Sequence, residues 1–163
     1  MAGQVAIQQS GASMNVTQTS TRGVVDWATF NVGSSAQVKF IQPSASSVTL
    51  NRVLDSNSSQ IFGKISSNGQ VFLTNSNGLF FSPTSSVDVG GLVATTMKIG
   101  IDDFMVGINK FKSADGLGLV LNQGRLTASD GGYISFLAPQ VRNEGVIIAR
   151  LGSVVLASGN AVT

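Results

Sequence analysis

The stretch Ser66–Thr96, SSNGQVFLTNSNGLFFSPTSSVDVGGLVATT, is a run of short apolar pieces set between turn residues. Asn68-Gly69 and Asn77-Gly78 are tight-turn dipeptides, because Asn and Gly tolerate positive φ. Between and after them come Val71-Phe72-Leu73, Leu79-Phe80-Phe81, Val87 with Val89, and Leu92-Val93. Each piece is β-prone and too short for a helix of useful length. The chain therefore needs an architecture that uses very short strands and turns after each one.

Internal repeats supply it. Asn122-Gln123-Gly124-Arg125-Leu126-Thr127-Ala128 returns as Asn143-Glu144-Gly145-Val146-Ile147-Ile148-Ala149, 21 positions on. Gly132-Tyr133-Ile134-Ser135-Phe136-Leu137-Ala138 is echoed from Gly152, at an offset of 20. A period near 20, each unit holding turns and short strands, is the signature of a stacked coil in which every rung pairs in parallel with its neighbour. The expected fold is an all-β, right-handed parallel β-helix. A β-sandwich needs longer strands and fits less well. Eight or so rungs at about 4.8 Å would make a rod of roughly 40 Å.

Composition narrows the function. The 163 residues form one expected domain, only 11% of them charged, with net charge +2. There is no basic run or basic-aromatic interleaving, which argues against nucleic acid, and no apolar run long enough for a membrane span. The chain has no Cys and no His. Ordinary zinc sites and nucleophile–base pairs are thereby excluded, and no cofactor or metal is expected. Cysteine-free sequence also suits a chain threaded unfolded through an oxidising compartment. Met1-Ala2-Gly3 reads as an added start, without a signal peptide, and Ala161-Val162-Thr163 ends in mid-pattern, so a fragment of a longer protein is expected.

In order, residues 1–30 do not follow the period, and a cap over the first rung is expected there, with Trp27 and Phe30 buried beneath it. Residues 31–97 hold the first coils. In Val48-Thr49-Leu50-Asn51-Arg52-Val53, alternation puts Val48 and Leu50 inward, with Val53 a further candidate, and Thr49 and Arg52 outward. Ile61-Phe62-Gly63-Lys64-Ile65 reads as one strand. Residues 98–116 break the rhythm and hold adjacent Asp102 and Asp103. They are expected to leave the coil as a hairpin, by a strand or one helical turn, packing Phe104, Met105 and Phe111 on an outer face. Further coils follow over 117–163. The last, Leu151–Ala157, has no successor, so its open edge favours self-association through that end.

Several strings together resemble one family. They are Asp26-Trp27 to Phe30-Asn31-Val32-Gly33, Gln42-Pro43-Ser44-Ala45-Ser46-Ser47-Val48, Leu50-Asn51-Arg52-Val53, Asn68-Gly69-Gln70-Val71-Phe72-Leu73, Asn75-Ser76-Asn77-Gly78, and Val87-Asp88-Val89-Gly90-Gly91-Leu92-Val93-Ala94-Thr95-Thr96. The chain is similar, over nearly its whole length, to the secretion domain of two-partner-secretion exoproteins, the amino-terminal domain of filamentous haemagglutinins and high-molecular-weight adhesins. The resemblance implies a β-helix with an amino-terminal cap and an extra-helical hairpin. It also implies an addressing function: a dedicated outer-membrane β-barrel transporter recognises the domain through periplasmic POTRA domains, and the domain then folds and nucleates the β-helix at the surface of a Gram-negative cell. The family's Asn-Pro-Asn-Gly motif is Asn75-Ser76-Asn77-Gly78 here, and serine can adopt the same turn with more unfolded-state freedom. No asparagine-rich motif precedes Asn31, which places the chain nearer the high-molecular-weight adhesin branch.

The resemblance makes Asn51, Arg52, Asn75, Asn77 and Gly78 the candidate partner-binding residues. For Asn75 and Asn77 the alternative is that they close a turn and stack as an amide ladder; for Arg52 it is a solvated outer-face position. Two other classes compete. An enzyme would need clustered carboxylates, whereas Asp102-Asp103 is the one adjacent acidic pair, so none is expected. A β-helical adhesin module binding host glycans or proteins directly could use Phe80, Phe81 and Tyr133 as a platform, but alternation puts Phe80 inside.

Overall fold

In the computed structural model, residues 2–112 and 118–158 and the backbone of 161–162 are described. The chain winds into a right-handed β-helix of about six turns, with two parallel ladders of six strands and a third of four. The first ladder stacks Ser13–Gln18, Gln37–Ile41, Lys64–Ser67, the start of Ser86–Thr95, the start of Arg125–Ala138, and Val146–Ala149. The second stacks Arg22–Trp27, Val48–Val53, Gln70–Asn75, the segment from Gly91, the segment from Tyr133, and Ser153–Ser158. The third stacks Ser59–Ile61, Leu79–Phe81, Leu119–Asn122 and Gln140–Asn143. At about 4.8 Å per turn the coil is near 30 Å long. It has fewer rungs than the sequence period suggests, because the early turns are longer and residues 98–112 leave the coil.

Register turns the pattern into a core. Met14, Val38, Ile65, Val87, Leu126 and Ile147 lie directly one above another in the first ladder. Val71, Leu92, Ile134 and Val154 do so in the second. Phe81 stacks on Phe136, ring centroids 6.2 Å apart and planes 5° from parallel. The repeats fall where the period puts them. Asn122 Nδ2 donates to Asn143 Oδ1 at 3.0 Å, and each Oδ1 accepts the amide of the following glycine, Gly124 or Gly145. At another corner Gly69, Gly90, Gly132 and Gly152 stack so closely that a Cβ on any of the last three would strike the carbonyl of the glycine above.

The cap is shorter than residues 1–30. Val5–Ser10 folds back antiparallel on Ser13–Gln18, and Ala2 bridges Val24, so the edge of the first turn is partly covered. Coil pairing begins already at Ser13. Trp27 is half-buried and Phe30 buried. They meet edge to face at 5.1 Å, in the first turn itself rather than under a cap strand. Ile61 to Ile65 is two strands with a corner at Phe62-Gly63, where a side chain at Gly63 would clash with the carbonyls of Gly33 and Ala36.

The phase assigned to Val48, Thr49 and Leu50 is reversed, while Val53 lies inward and Arg52 outward as expected. Val48 and Leu50 point out of the coil, into a second core with Val24, Phe72, Val93 and Leu137. Thr49 and Asn51 point in and are fully buried, as is Val53. The second core exists because residues 98–112 cover this outer face. Lys98–Ile99 pairs antiparallel with Phe111–Lys112, and a short helix, Ile101–Met105, lies between them. Phe104 and Phe111 are buried against Phe72 at 5.8 and 5.9 Å, with Met105 partly buried beside them, as the sequence implies. Arg22 of the first turn holds its guanidinium 4.2 Å over the Phe104 ring and donates to Asn109 Oδ1 at 2.7 Å. The rest of the expected excursion, 113–116, and the resumption at Leu117 lie outside the described residues. In the last turn, Val154, Val155 and Leu156 remain 45–46% exposed.

Truncating the aromatic that joins the covering segment to the coil leaves a cavity in the second core. Phe104→Ala is expected to lower unfolding free energy by about 3–5 kcal/mol, measured by urea denaturation. Phe80→Ala, at a half-exposed position, is expected to cost clearly less.

Candidate functional site

The Asn75–Gly78 turn closes the corner between Gln70–Asn75 and Leu79–Phe81. Asn75 is fully buried. Its Nδ2 donates to the Asn57 carbonyl at 3.1 Å and Ser59 Oγ at 3.0 Å, and its Oδ1 accepts the Asn77 amide at 2.9 Å. The Gly78 amide donates to the Asn75 carbonyl at 3.0 Å. Serine serves in place of proline because the Asn75 side chain itself fixes the turn. Gly78 has φ +112° and is packed so that a Cβ would sit 2.8 Å from the Leu119 carbonyl, so only glycine fits. Gly69, the other turn glycine, has no positive φ; its missing side chain makes room for Gln42, whose Oε1 accepts the Gly69 amide at 3.0 Å.

Asn75 and Asn77 do not form an amide ladder. Asn75 lies opposite Val53, and Asn77 is exposed, its Nδ2 donating to the Asp55 carbonyl at 2.8 Å. The ladder occurs instead at Asn122 and Asn143. Asn51 is likewise internal: its Nδ2 donates to the Phe72 carbonyl at 3.1 Å and its Oδ1 accepts Trp27 Nε1–H at 2.9 Å. Beside it, Thr49 Oγ1 donates to Gln18 Oε1 at 2.6 Å and accepts from Gln42 Nε2 at 3.1 Å, a buried polar network running between turns.

Arg52 faces outward and grips Asp26, one turn away, with two hydrogen bonds, Nε to Oδ1 at 2.7 Å and Nη2 to Oδ2 at 2.8 Å. The guanidinium holds the Asp26 carboxyl below the ordinary carboxylate range, and the same bonds raise Arg52. Of the five candidates, Arg52 and Asn77 thus reach the surface, and Asn51, Asn75 and Gly78 do not. The surface pair lines a cleft of about 760 Å³ between the coil and the covering hairpin, to which Leu54, Asp55 and Lys98 also contribute. Sequence reading missed this cleft and the Asp26–Arg52 pair, for which the 26-residue spacing was the available signal.

The aromatic platform is not assembled. Phe81 is in the core and Phe80 lies outside against Phe62, the opposite of the expected phase. Tyr133 packs on Gly91 in the second ladder with its hydroxyl on Gln70, and burial raises its phenol pKa. Asp102 and Asp103 lie in the first turn of the short helix. Among the described residues no three His, Cys, Asp or Glu side chains cluster as a metal site would require.

Fold and site together define a capped β-helix whose buried polar groups join one turn to the next. The chain belongs to the family of TPS secretion domains, the secretion domains of large two-partner-secretion exoproteins, whose model matches residues 2–163. It is 37% identical over 166 residues to a heme/hemopexin-binding protein of Haemophilus influenzae, covering 96% of this chain and 18% of that protein. A second heme/hemopexin-binding protein of Haemophilus influenzae is 41% identical over 95 residues, covering 58% of this chain and 10% of its own length. The chain thus spans less than a fifth of these relatives. The crystal structure of the HMW1 secretion domain from Haemophilus influenzae superposes with a TM-score of 0.93 at 29% identity, over 99% of this chain and 44% of that one.

Two predictions follow from the turn and the ion pair. Asn75→Ala strands buried partners on Asn57 and Ser59 and is expected to cost about 1–3 kcal/mol, while Asn77→Ala costs much less, both read by urea denaturation. For Asp26, the folded carboxyl is depressed, so its stabilisation is present above the unfolded value of about 4 and is lost as pH falls through the folded value. The urea midpoint of the wild type is therefore expected to exceed that of Asp26→Asn at neutral pH, the gap closing as pH falls below the unfolded value of about 4.

Proposed function

We propose that this domain addresses its exoprotein to a dedicated outer-membrane β-barrel transporter, whose periplasmic POTRA domains read it as an unfolded chain, and that it then nucleates the β-helix at the cell surface. The observation that carries the unfolded reading is the burial of Asn75. Its amide is saturated by Asn57, Ser59 and Asn77 and has no surface to offer a partner once folded. The same holds for Asn51. In an extended chain both amides are free, and short β-prone segments can add to a sheet edge in the partner by main-chain hydrogen bonds. Outside the cell each new turn buries its apolar residues on the previous one, which disfavours back-sliding. The chain contains no phosphate-binding glycine loop that would supply another energy source.

The test is release of the domain, carrying a signal peptide, from cells with and without the cognate transporter. It is paired with binding of purified POTRA domains to the folded domain and to the Phe104→Ala variant held partly unfolded in urea. Release is expected to need the transporter and to fall for Asn75→Ala more than for Asn77→Ala, and the POTRA domains are expected to retain the unfolded form. Transporter-independent release overturns the addressing reading. Equal retention of the folded wild type overturns recognition of the unfolded chain.

A further inference from the structure

The cleft beside Arg52 has one wall with an unusual charge arrangement. Lys98 and Lys112 stand directly opposite each other in the antiparallel pair of the covering hairpin, while their neighbours Ile99 and Phe111 turn into the core. Paired residues of an antiparallel ladder share a face, so both ammonium groups project outward, and like charges so placed destabilise the pair. Lys110, two residues before Lys112, adds a third cation to the same wall. All three are exposed, and none has an ion-pair partner among the described residues. The acids of the cleft are Asp55, whose Oδ1 is bonded to the Asn57 amide at 3.0 Å, and Asp103 on the short helix. Arg52 is held by Asp26. From the coil the same cleft is lined by Leu54, 67% exposed, and the polar turn at Asn77.

From this arrangement we infer that the cleft is a docking surface on the folded domain for an extended acidic segment of a protein partner. A carboxylate between Lys98 and Lys112 relieves their repulsion. In an extended peptide alternate side chains lie about 6.8 Å apart on one face, so alternating acids present a row of carboxylates to Lys98, Lys110 and Lys112. The intervening apolar residues face the other way, where Leu54 is uncovered. A small anion would satisfy one lysine pair and leave most of a 760 Å³ cleft and Leu54 in water. This surface exists only after folding and goes beyond the addressing role, which rests on the unfolded chain.

The test uses a dye-labelled octapeptide of alternating Glu and Leu, titrated by fluorescence anisotropy against the folded wild-type domain and against Lys98→Glu/Lys112→Glu. Both substitutions are at exposed positions, and the fold is checked by the urea midpoint. The peptide is expected to bind the wild type, to weaken as salt rises through the range where the Debye length shrinks below about 8 Å, and to lose at least tenfold affinity with the double variant. The corresponding Gln-Leu peptide is expected not to bind. Equal affinity for the double variant, equal affinity for the Gln-Leu peptide, or no binding to the wild type overturns the proposal. Displacement of the peptide by inorganic phosphate beyond the effect of chloride at equal ionic strength would replace it with a small-anion site. Transporter-dependent release of the double variant is expected to match the wild type. Release that falls in step with peptide binding would overturn the separation of this surface from addressing.

Discussion

The structure depends on one constraint: each turn must offer the next an in-register parallel edge. Where that is met, identical positions fall one above another, and the interior becomes columns such as Met14–Val38–Ile65–Val87–Leu126–Ile147. Several buried polar residues bond from turn to turn, as Thr49 does to Gln18 and Asn122 to Asn143. Glycines stack at the tightest corner because the backbones approach too closely for a Cβ. The first turn has no predecessor, and the antiparallel strand Val5–Ser10 takes that place.

Legibility in the sequence follows the same constraint. The repeat is plain between the fifth and sixth turns, where corners are minimal and offsets of 20 and 21 match the register of Tyr133 on Ser153 and Arg125 on Val146. It fades in the first turns, where Gln37 pairs with Lys64 across longer corners, and between Ser86 and Arg125, where the covering hairpin intervenes. The hairpin and its aromatic anchors were readable because the turn rhythm breaks there. The phase of Val48–Leu50 was not, since the strand is covered on both sides and its polar residues, Thr49 and Asn51, are the ones turned inward.

For the candidate site, the turn at Asn75–Gly78 was legible as a turn from its residue types. That Asn75 is sealed inside depends on Asn57 and Ser59, one turn earlier, and no local pattern encodes that meeting. Arg52 was left open between partner and solvent, and its grip on Asp26 becomes visible only with the register. The opposition of Lys98 and Lys112 needs the hairpin pairing, and Leu54 joins their cleft from another turn.

The covering segment changes how the solenoid behaves as a whole. A bare coil is nearly one-dimensional, each turn stabilised by its neighbours alone. Here the hairpin and helix of residues 98–112 lie across the outer faces of Val24, Leu50, Phe72, Val93 and Leu137, one from each of the first five turns. Arg22 and Asn109, 87 residues apart in sequence, are tied by a hydrogen bond over the Phe104 ring. Such a bond gives nothing until the intervening turns have formed, so its closure entropy is met late. The outer faces of Val24, Leu50 and Phe72 consequently lack their cover in any partly wound chain, and the covering segment makes one cooperative unit of turns that would otherwise be stable or unstable singly.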